Sequence, residues 1–324
     1  MPALPRLARG AWHLFQYASL RAAAAILVSI PPDAAEGAAR GIGRIYYRID
    51  GPRRRTTIEN LRIAFGDSLE PAARERLAIR AFEHAFVIAT EVAWRRRILP
   101  NVRAFRRRRT IVGDAAEMRA DLRAGRGGIV LTAHLGNWEL AGAYLRYERV
   151  PFAAVARPID NPIVDRYLTR FRGGAANLIE TRGAVQDVSE AVSQGTWVGI
   201  LADQNAGRRG VFVPFFGVPA SSFRFGATLA LRHDFPVYFA VALRRGKGFR
   251  YEFHTRRYVP PRGLDRKDGE RHLLEAYFTQ LEAWIREVPE QYFWLHRRWR
   301  TRPPEEELAE GTPTYDRRGT PRER

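Results

Sequence analysis

Cysteine is absent from all 324 residues. That removes disulfides, cysteine-ligated zinc and a thiol nucleophile, and it fits a chain that lives in a reducing compartment or is indifferent to redox state. Long apolar runs are missing too. The apolar stretch of the N-terminal region, Ala22 to Ile30, is far short of the ~20 residues that cross a bilayer. Acidic residues are scarce: 35 Asp and Glu stand against 54 Lys and Arg, a net charge of +19 with a sequence pI near 11.0. Such a surplus asks for a polyanionic neighbour, whether nucleic acid, anionic lipid or an acidic carrier protein. No recognised nucleic-acid motif interleaves the basic runs with aromatics, so nucleic acid is not expected. The seven histidines offer no metal-ligand spacing, and no metal is expected. No Gly-x-Ser-x-Gly elbow surrounds a serine, and the phosphate-binding glycine loops are missing. An acyl-enzyme on a serine, nucleotide chemistry and a bound cofactor are therefore not expected.

What is present, 45% hydrophobic and 11% aromatic residues, can bury one large core with a helical appendage. Arg6 and Arg9 precede a helix-prone stretch from Trp12 to Ile30, interrupted by Arg21 and carrying Trp12, Phe15 and Tyr17. No small-x-small cleavage pattern precedes Pro31 and Pro32. Residues 1–32 thus read as an uncleaved helix that lies in or dips into the inner leaflet, or else as a helix of the soluble domain. Residues 33–110 read as helical, with Leu77, Ala81, Phe82, Ala85 and Phe86 at three- and four-residue spacing. From 111 to 302 short strand-like runs alternate with helical patterns. The runs are Ile129–Ala133, Phe152–Ala156, Trp197–Ala202, Val237–Leu243 and Phe249–Phe253; the helices are Pro162–Arg172, Ala184–Gln194, Phe223–Arg232 and Arg271–Glu287. This is an α/β fold: a mixed central sheet covered by helices. Residues 303–324, rich in Pro, Glu, Gly and Arg, read as a disordered tail.

The most informative stretch runs from Gly127 to Glu139, GGIVLTAHLGNWE. A buried strand ends in His134, Gly136 permits a sharp turn, Asn137 can cap the next helix, and Glu139 sits in its first turn. Ligands of open α/β sheets lie beyond the carboxyl ends of strands, where His134 falls. A carboxylate on one imidazole nitrogen makes the other a better base, able to take a proton from an alcohol. His134 and Glu139 can form that pair; alone, the spacing is equally that of a structural histidine and an exposed glutamate.

The segment Leu131–Glu139, LTAHLGNWE, resembles the His-x4-Asp/Glu signature of the bacterial lipid A biosynthesis acyltransferases, within the lysophospholipid acyltransferase superfamily. Three further blocks follow in order: Arg157–Pro162 (RPIDNP), Asp203–Asn205 with Gly210–Gly217 (DQN, GVFVPFFG), and Gln291–Trp299 (QYFWLHRRW). The resemblance covers nearly the whole chain up to Pro303. It implies transfer of a fatty acyl chain from acyl carrier protein or acyl-coenzyme A to a hydroxyl of a lipid A precursor, on the cytoplasmic face of the inner membrane. His134 would be the general base, oriented by Glu139. Arg157 is a candidate for stabilising the oxyanion or holding an acceptor phosphate, and backbone N–H groups at Gly136 and Asn137 are alternative oxyanion donors. Asp203 and Gln204 should line the same pocket, from a strand beside that of His134, with Asp203 orienting Arg157 or the acceptor. Phe212, Phe215, Phe216 and Phe223 can line an acyl channel or simply fill the core, and Arg208 and Arg209 can meet a headgroup. A related enzyme acting on another membrane lipid, such as a phosphatidylinositol mannoside, would carry the same pair. A non-enzymatic basic membrane-binding protein would be indifferent to the loss of His134.

Overall fold

The structure, a computed structural model, describes residues 6–98, 102–172, 174, 177–181 and 183–303; the tail expected to be disordered lies outside them, except for Pro303. The chain opens with helices α1 (Arg6–Ser29), α2 (Pro32–Ile49), α3 (Gly51–Phe65), α4 (Pro71–Ile98) and α5 (Val102–Arg106). Strand β1 (Arg109–Gly113), α6 (Ala115–Arg123), β2 (Gly128–Thr132), α7 (Trp138–Tyr147), β3 (Phe152–Ala156), α8 (Pro162–Phe171), β4 (Leu178–Glu180), α9 (Ala184–Ser193) and β5 (Trp197–Leu201) alternate after them. A hairpin of β6 (Val211–Phe215) and β7 (Val218–Ser222) comes next, then α10 (Phe225–His233), β8 (Val237–Arg244), β9 (Tyr251–Tyr258) and α11 (Arg266–Glu287).

Seven strands form one sheet in the order β1-β9-β8-β2-β5-β3-β4. Pairing is parallel except between β8 and β9, so the sheet is mixed. β2 and β5 lie at its centre and are buried along nearly their whole length, as parallel strands covered on both faces must be. Their register, Gly128 opposite Trp197 through Thr132 opposite Leu201, brings the segments that follow them, with His134 and Asp203, to the same edge. The five expected strands and four expected helices of this region are present within a few residues. The expected strand at Phe249 starts later, at Tyr251, because Phe249 sits at φ 60° in the β8–β9 turn. β4 has only three residues, and β1, with five, buries none of them, so alternation reveals neither.

One face of the sheet packs on α9, α10 and α11, and the helical N-terminal region joins the same core: Tyr47, Leu61 and Phe82 are contiguous with Leu131, Ile200 and Phe278. Phe215 and Phe216 belong to this core, stacked among Phe278, Trp294 and Trp299, and Phe223 is exposed. Phe215 and Phe216 are therefore core residues, and neither they nor Phe212 and Phe223 line the cavity described below. Helix α1 lies on the body of the protein. Asn161 donates to the His13 carbonyl and to Gln16 Oε1, both at 2.9 Å, and Trp94 donates to the Leu27 carbonyl at 2.8 Å. Among the described residues no helix is long and apolar enough to cross a membrane; the N-terminal helix instead turns Trp12, Phe15 and Ile26 outward.

Candidate active site

His134 follows the end of β2, and its imidazole meets a carboxylate from the neighbouring strand. Asp203 accepts a hydrogen bond from His134 Nδ1 at 2.9 Å on one oxygen and from the His134 backbone N–H at 3.0 Å on the other. The side chain of Asp203 is 2% exposed and that of His134 18%. Proton on Nδ1 leaves the Nε2 lone pair facing outward, the arrangement a general base needs. Burial opposes a charge on either group. The Asp203 charge and hydrogen bond, with a smaller contribution from Glu139, outweigh burial and raise the imidazole above its ordinary 6.5. Burial likewise works against the Asp203 carboxylate, yet His134 and the more distant Arg298 hold it below its ordinary 3.8. Trp138 packs edge-on against the imidazole with ring centroids 4.9 Å apart.

Glu139, expected to orient His134, makes its hydrogen bonds elsewhere. It is gripped by Arg172, at the end of α8, with contacts of 2.6 and 3.2 Å. The reason is geometric: Asp203 leaves the adjacent strand level with His134, whereas Glu139 sits in the first turn of α7, facing α8. Gln204 is beside the other ring nitrogen, its amide nitrogen 3.4 Å from His134 Nε2. Gly136 and Asn137 do not present free donors. The Gly136 N–H donates to the Gln291 carbonyl at 3.1 Å and the Asn137 N–H to the Ala242 carbonyl at 2.8 Å. Asn137 is fully buried and caps α7 by accepting from the Leu140 N–H at 3.2 Å. Arg157 is 83% exposed, 4.0 Å from the carboxylate of Asp160. Asp203 thus contacts the imidazole and not Arg157.

Gly136 is required where it stands. Its φ is 64°, and a Cβ there would lie 1.9 Å from the Ala242 carbonyl oxygen; only glycine fits. A buried polar network then fixes the loop. His84 donates to the Gly136 carbonyl at 3.4 Å; burial drives its pKa down to about 3, so it is neutral. Glu91 accepts from Asn137 Nδ2 at 2.9 Å and from Arg244 Nε at 2.7 Å, and Arg244 also reaches Glu36. Neither Glu91 nor Arg244 was singled out from the sequence. A signal existed: His84 and Glu91, seven residues apart, share a face of α4 with the apolar Leu77, Val87 and Ile88. No comparable signal marks Arg172, which meets Glu139 only through the packing of α7 on α8.

On the sheet face covered by α6 and α7 lies a cavity of about 420 Å³, within the usual range of ligand pockets. Every strand of the large sheet contributes to its wall, from Ile111 on β1 to Leu178 on β4, so it runs across the strands. The space exists because small residues face it: Ala154 and Ala156 on β3, Gly199 on β5, Ala240 on β8, and Gly142 on α7. Trp138, Glu139 and Arg172 line it as well, and Trp138 also packs against the imidazole, so one side chain joins the cavity wall to His134.

A histidine held by a buried carboxylate, near an apolar cavity that crosses the sheet, suits an enzyme whose substrate carries a hydrocarbon chain. The family model for "Bacterial lipid A biosynthesis acyltransferase" matches residues 11–301, and the chain belongs to that family; it is an acyltransferase of lipid A biosynthesis. It is 29% identical over 271 residues to the lipid A biosynthesis lauroyltransferase of Escherichia coli K12, covering 81% of this chain and 84% of that one. It is 28% identical over 180 residues to the palmitoleoyltransferase of the same organism, and 27% identical over 198 residues to a lipid A biosynthesis acyltransferase of Haemophilus influenzae; each match covers 55% of this chain and 57% of the relative.

Proposed function

We propose that the protein moves a fatty acyl chain from an acyl thioester, on acyl carrier protein or coenzyme A, to a hydroxyl of a lipid A precursor, with His134 as general base. The observation that carries this reading is the Asp203–His134 pair, joined to the apolar cavity through Trp138, which lines the cavity and packs on the imidazole. The acyl chain occupies the cavity, and its thioester carbonyl sits beside His134 Nε2. The acceptor hydroxyl gives its proton to Nε2 as its oxygen attacks the carbonyl carbon. The tetrahedral oxyanion then collapses, the C–S bond breaks, and the thiolate takes the proton back from the imidazolium. Asp203 holds the Nδ1–H tautomer. Glu139, fixed by Arg172, adds negative charge that favours the imidazolium. The Gln204 amide, 3.4 Å from Nε2, serves as a side-chain donor to the developing oxyanion. Gly136 and Asn137 serve by shaping the loop, and the exposed guanidinium of Arg157 suits a headgroup contact better than an oxyanion contact.

Reaction at the cytoplasmic face of the inner membrane accords with the outward apolar residues of α1, with Ile42, Ile45 and Ile49 along one exposed side of α2, and with the basic surplus, which attracts anionic lipid. The deciding experiment is mass spectrometry of the lipid formed when wild type and His134→Ala each receive acyl carrier thioester and a tetra-acylated lipid A precursor. An added acyl mass with wild type and none with the variant supports both reaction and base. Equal products from the two would remove His134 from the mechanism, and free fatty acid with no lipid product would remove the acceptor.

A further inference from the structure

Away from the acyl cavity, α3, the start of α4 and the segment after Trp294 enclose a second cleft of about 820 Å³. Six arginines line it against two glutamates, Glu59 and Glu75. The glutamates leave a net positive cleft: Glu59 is held by Arg62 at 2.8 Å, and Glu75, which accepts from the Tyr47 hydroxyl at 3.4 Å, offsets one of the six arginines at most. Among the described residues Arg54, Arg55, Arg297 and Arg300 have no carboxylate within 4.0 Å, whereas Arg40, Arg109, Arg126, Arg172, Arg244 and Arg245 all do. Four unpaired guanidinium groups on one concave surface repel one another, which is unfavourable until an anion arrives.

The cleft is also built. Arg298 and Trp299 are buried, with Trp299 stacked on Phe215 at 5.4 Å, so the turn that contains them holds Arg297 and Arg300 exposed on the rim. Asn60, itself buried, donates to the carbonyls of Trp294 and His296, both at 2.7 Å, and so clamps the α3 wall, with Arg54 and Arg55, to the C-terminal wall. Arg54 rests over the Tyr47 ring. The same segment reaches the catalytic centre: the Phe293 N–H donates to the His134 carbonyl at 2.9 Å, and Asn205, next to Gln204, donates to Thr301 at 3.0 Å. Arg297 is four residues beyond Phe293, so their Cα atoms are at most about 14 Å apart even if that segment were fully extended. That is the scale of a sugar headgroup.

We propose that this cleft is a phosphate site, which seats a phosphate of the acceptor's headgroup while its hydroxyl is presented to His134. The proposal rests on the reading that the acceptor is a phosphorylated glycolipid. Guanidinium forks match phosphate oxygens in pairs, and a concave cleft with converging arginines fits a compact phosphorylated headgroup better than the convex surface of an acidic protein.

The test uses the full-length protein in detergent micelles, wild type against Arg55→Gln/Arg297→Gln/Arg300→Gln. All three positions are exposed, so the fold should be retained, and thioester hydrolysis without acceptor checks that the catalytic pair is intact. With a phosphorylated acceptor, the variant's KM should rise about tenfold or more at nearly unchanged kcat, the loss expected for removing charge-assisted hydrogen bonds. With the same acceptor stripped of phosphate, variant and wild type should have equal KM, both high. Equal losses with both acceptors, or none with either, overturn the proposal. A rise confined to the KM for the acyl carrier thioester makes the cleft a donor dock and overturns it too. So does lost binding to phosphatidylglycerol vesicles with an unchanged acceptor KM, which would make the ligand the bulk lipid headgroup. If wild type acylates no phosphorylated glycolipid, the functional reading fails separately, and titration with inorganic pyrophosphate still reads the cleft: wild type should bind and the variant bind at least tenfold more weakly, and equal affinities overturn the site.

Discussion

Replacing Asp203 by Asn is the substitution that most directly separates the two carboxylates near His134. Asp203 accepts two hydrogen bonds from His134, at 2.9 and 3.0 Å, with a side chain 2% exposed, so solvent screens little of the interaction. Hydrogen bonds to a charged partner contribute about 1.5–3 kcal/mol each. If both are expressed in the transition state, where the imidazole becomes cationic, their loss costs about 3–6 kcal/mol. At about 1.36 kcal/mol per decade, kcat should fall by roughly two to four decades, in the range ascribed to a general base. Glu139→Gln breaks the ion pair to Arg172 but leaves the Nδ1 partner in place, so its loss should be at least tenfold smaller. Asp203→Asn combined with His134→Ala should be no slower than His134→Ala alone, since the two act as one unit. The assay is initial-rate acyl transfer followed by mass spectrometry, with circular dichroism as a check on folding. Asp203→Asn within threefold of wild type, together with a collapse in Glu139→Gln, would refute the assignment and make Glu139 the orienting group.

The same pair sets opposite pH trends. Because His134 is raised above 6.5 in the fold, its contribution to stability is complete below about pH 6.5 and is lost as pH rises through the raised value. Transfer needs the neutral imidazole, so kcat should climb over that same rise; a rate flat from pH 6 to 9 would exclude His134 as the base. Asp203, lowered in the fold, contributes stability above its ordinary 3.8 that is lost as pH falls through the depressed value; unfolding curves of Asp203→Asn should lack this acid limb. Ala154→Leu, in the cavity wall, should shift donor preference toward shorter chains in competition between thioesters of different length, and an unchanged preference would move the acyl chain elsewhere. Arg244→Met leaves Glu91 buried without its cation and should cost about 3–5 kcal/mol in denaturant unfolding; a loss under 1 kcal/mol would mean that the network adds little.

The sequence by itself determined a good deal. Strands β2, β5 and β8 were legible because strands buried on both faces must be nearly all apolar, β3 because it is a short apolar run, and the helices between them because their apolar residues recur at helical spacing. His134, Gly136 and Asn137 could be placed at a strand end, a sharp turn and a cap, since each role depends on local backbone chemistry. Which carboxylate meets His134 was decided only by tertiary structure. Glu139 is five residues away along the chain and Asp203 sixty-nine, yet the register of β2 on β5 brings Asp203 to Nδ1 while the packing of α7 on α8 gives Glu139 to Arg172. The same holds for Phe215 and Phe216, whose apolar surface fits a channel or a core equally well until α11 covers them, and for the donors at Gly136 and Asn137, whose N–H groups are taken by Gln291 and Ala242. Alternation and spacing record what one element asks of its own residues. Partnership between side chains on different elements depends on register and packing, which no local pattern encodes.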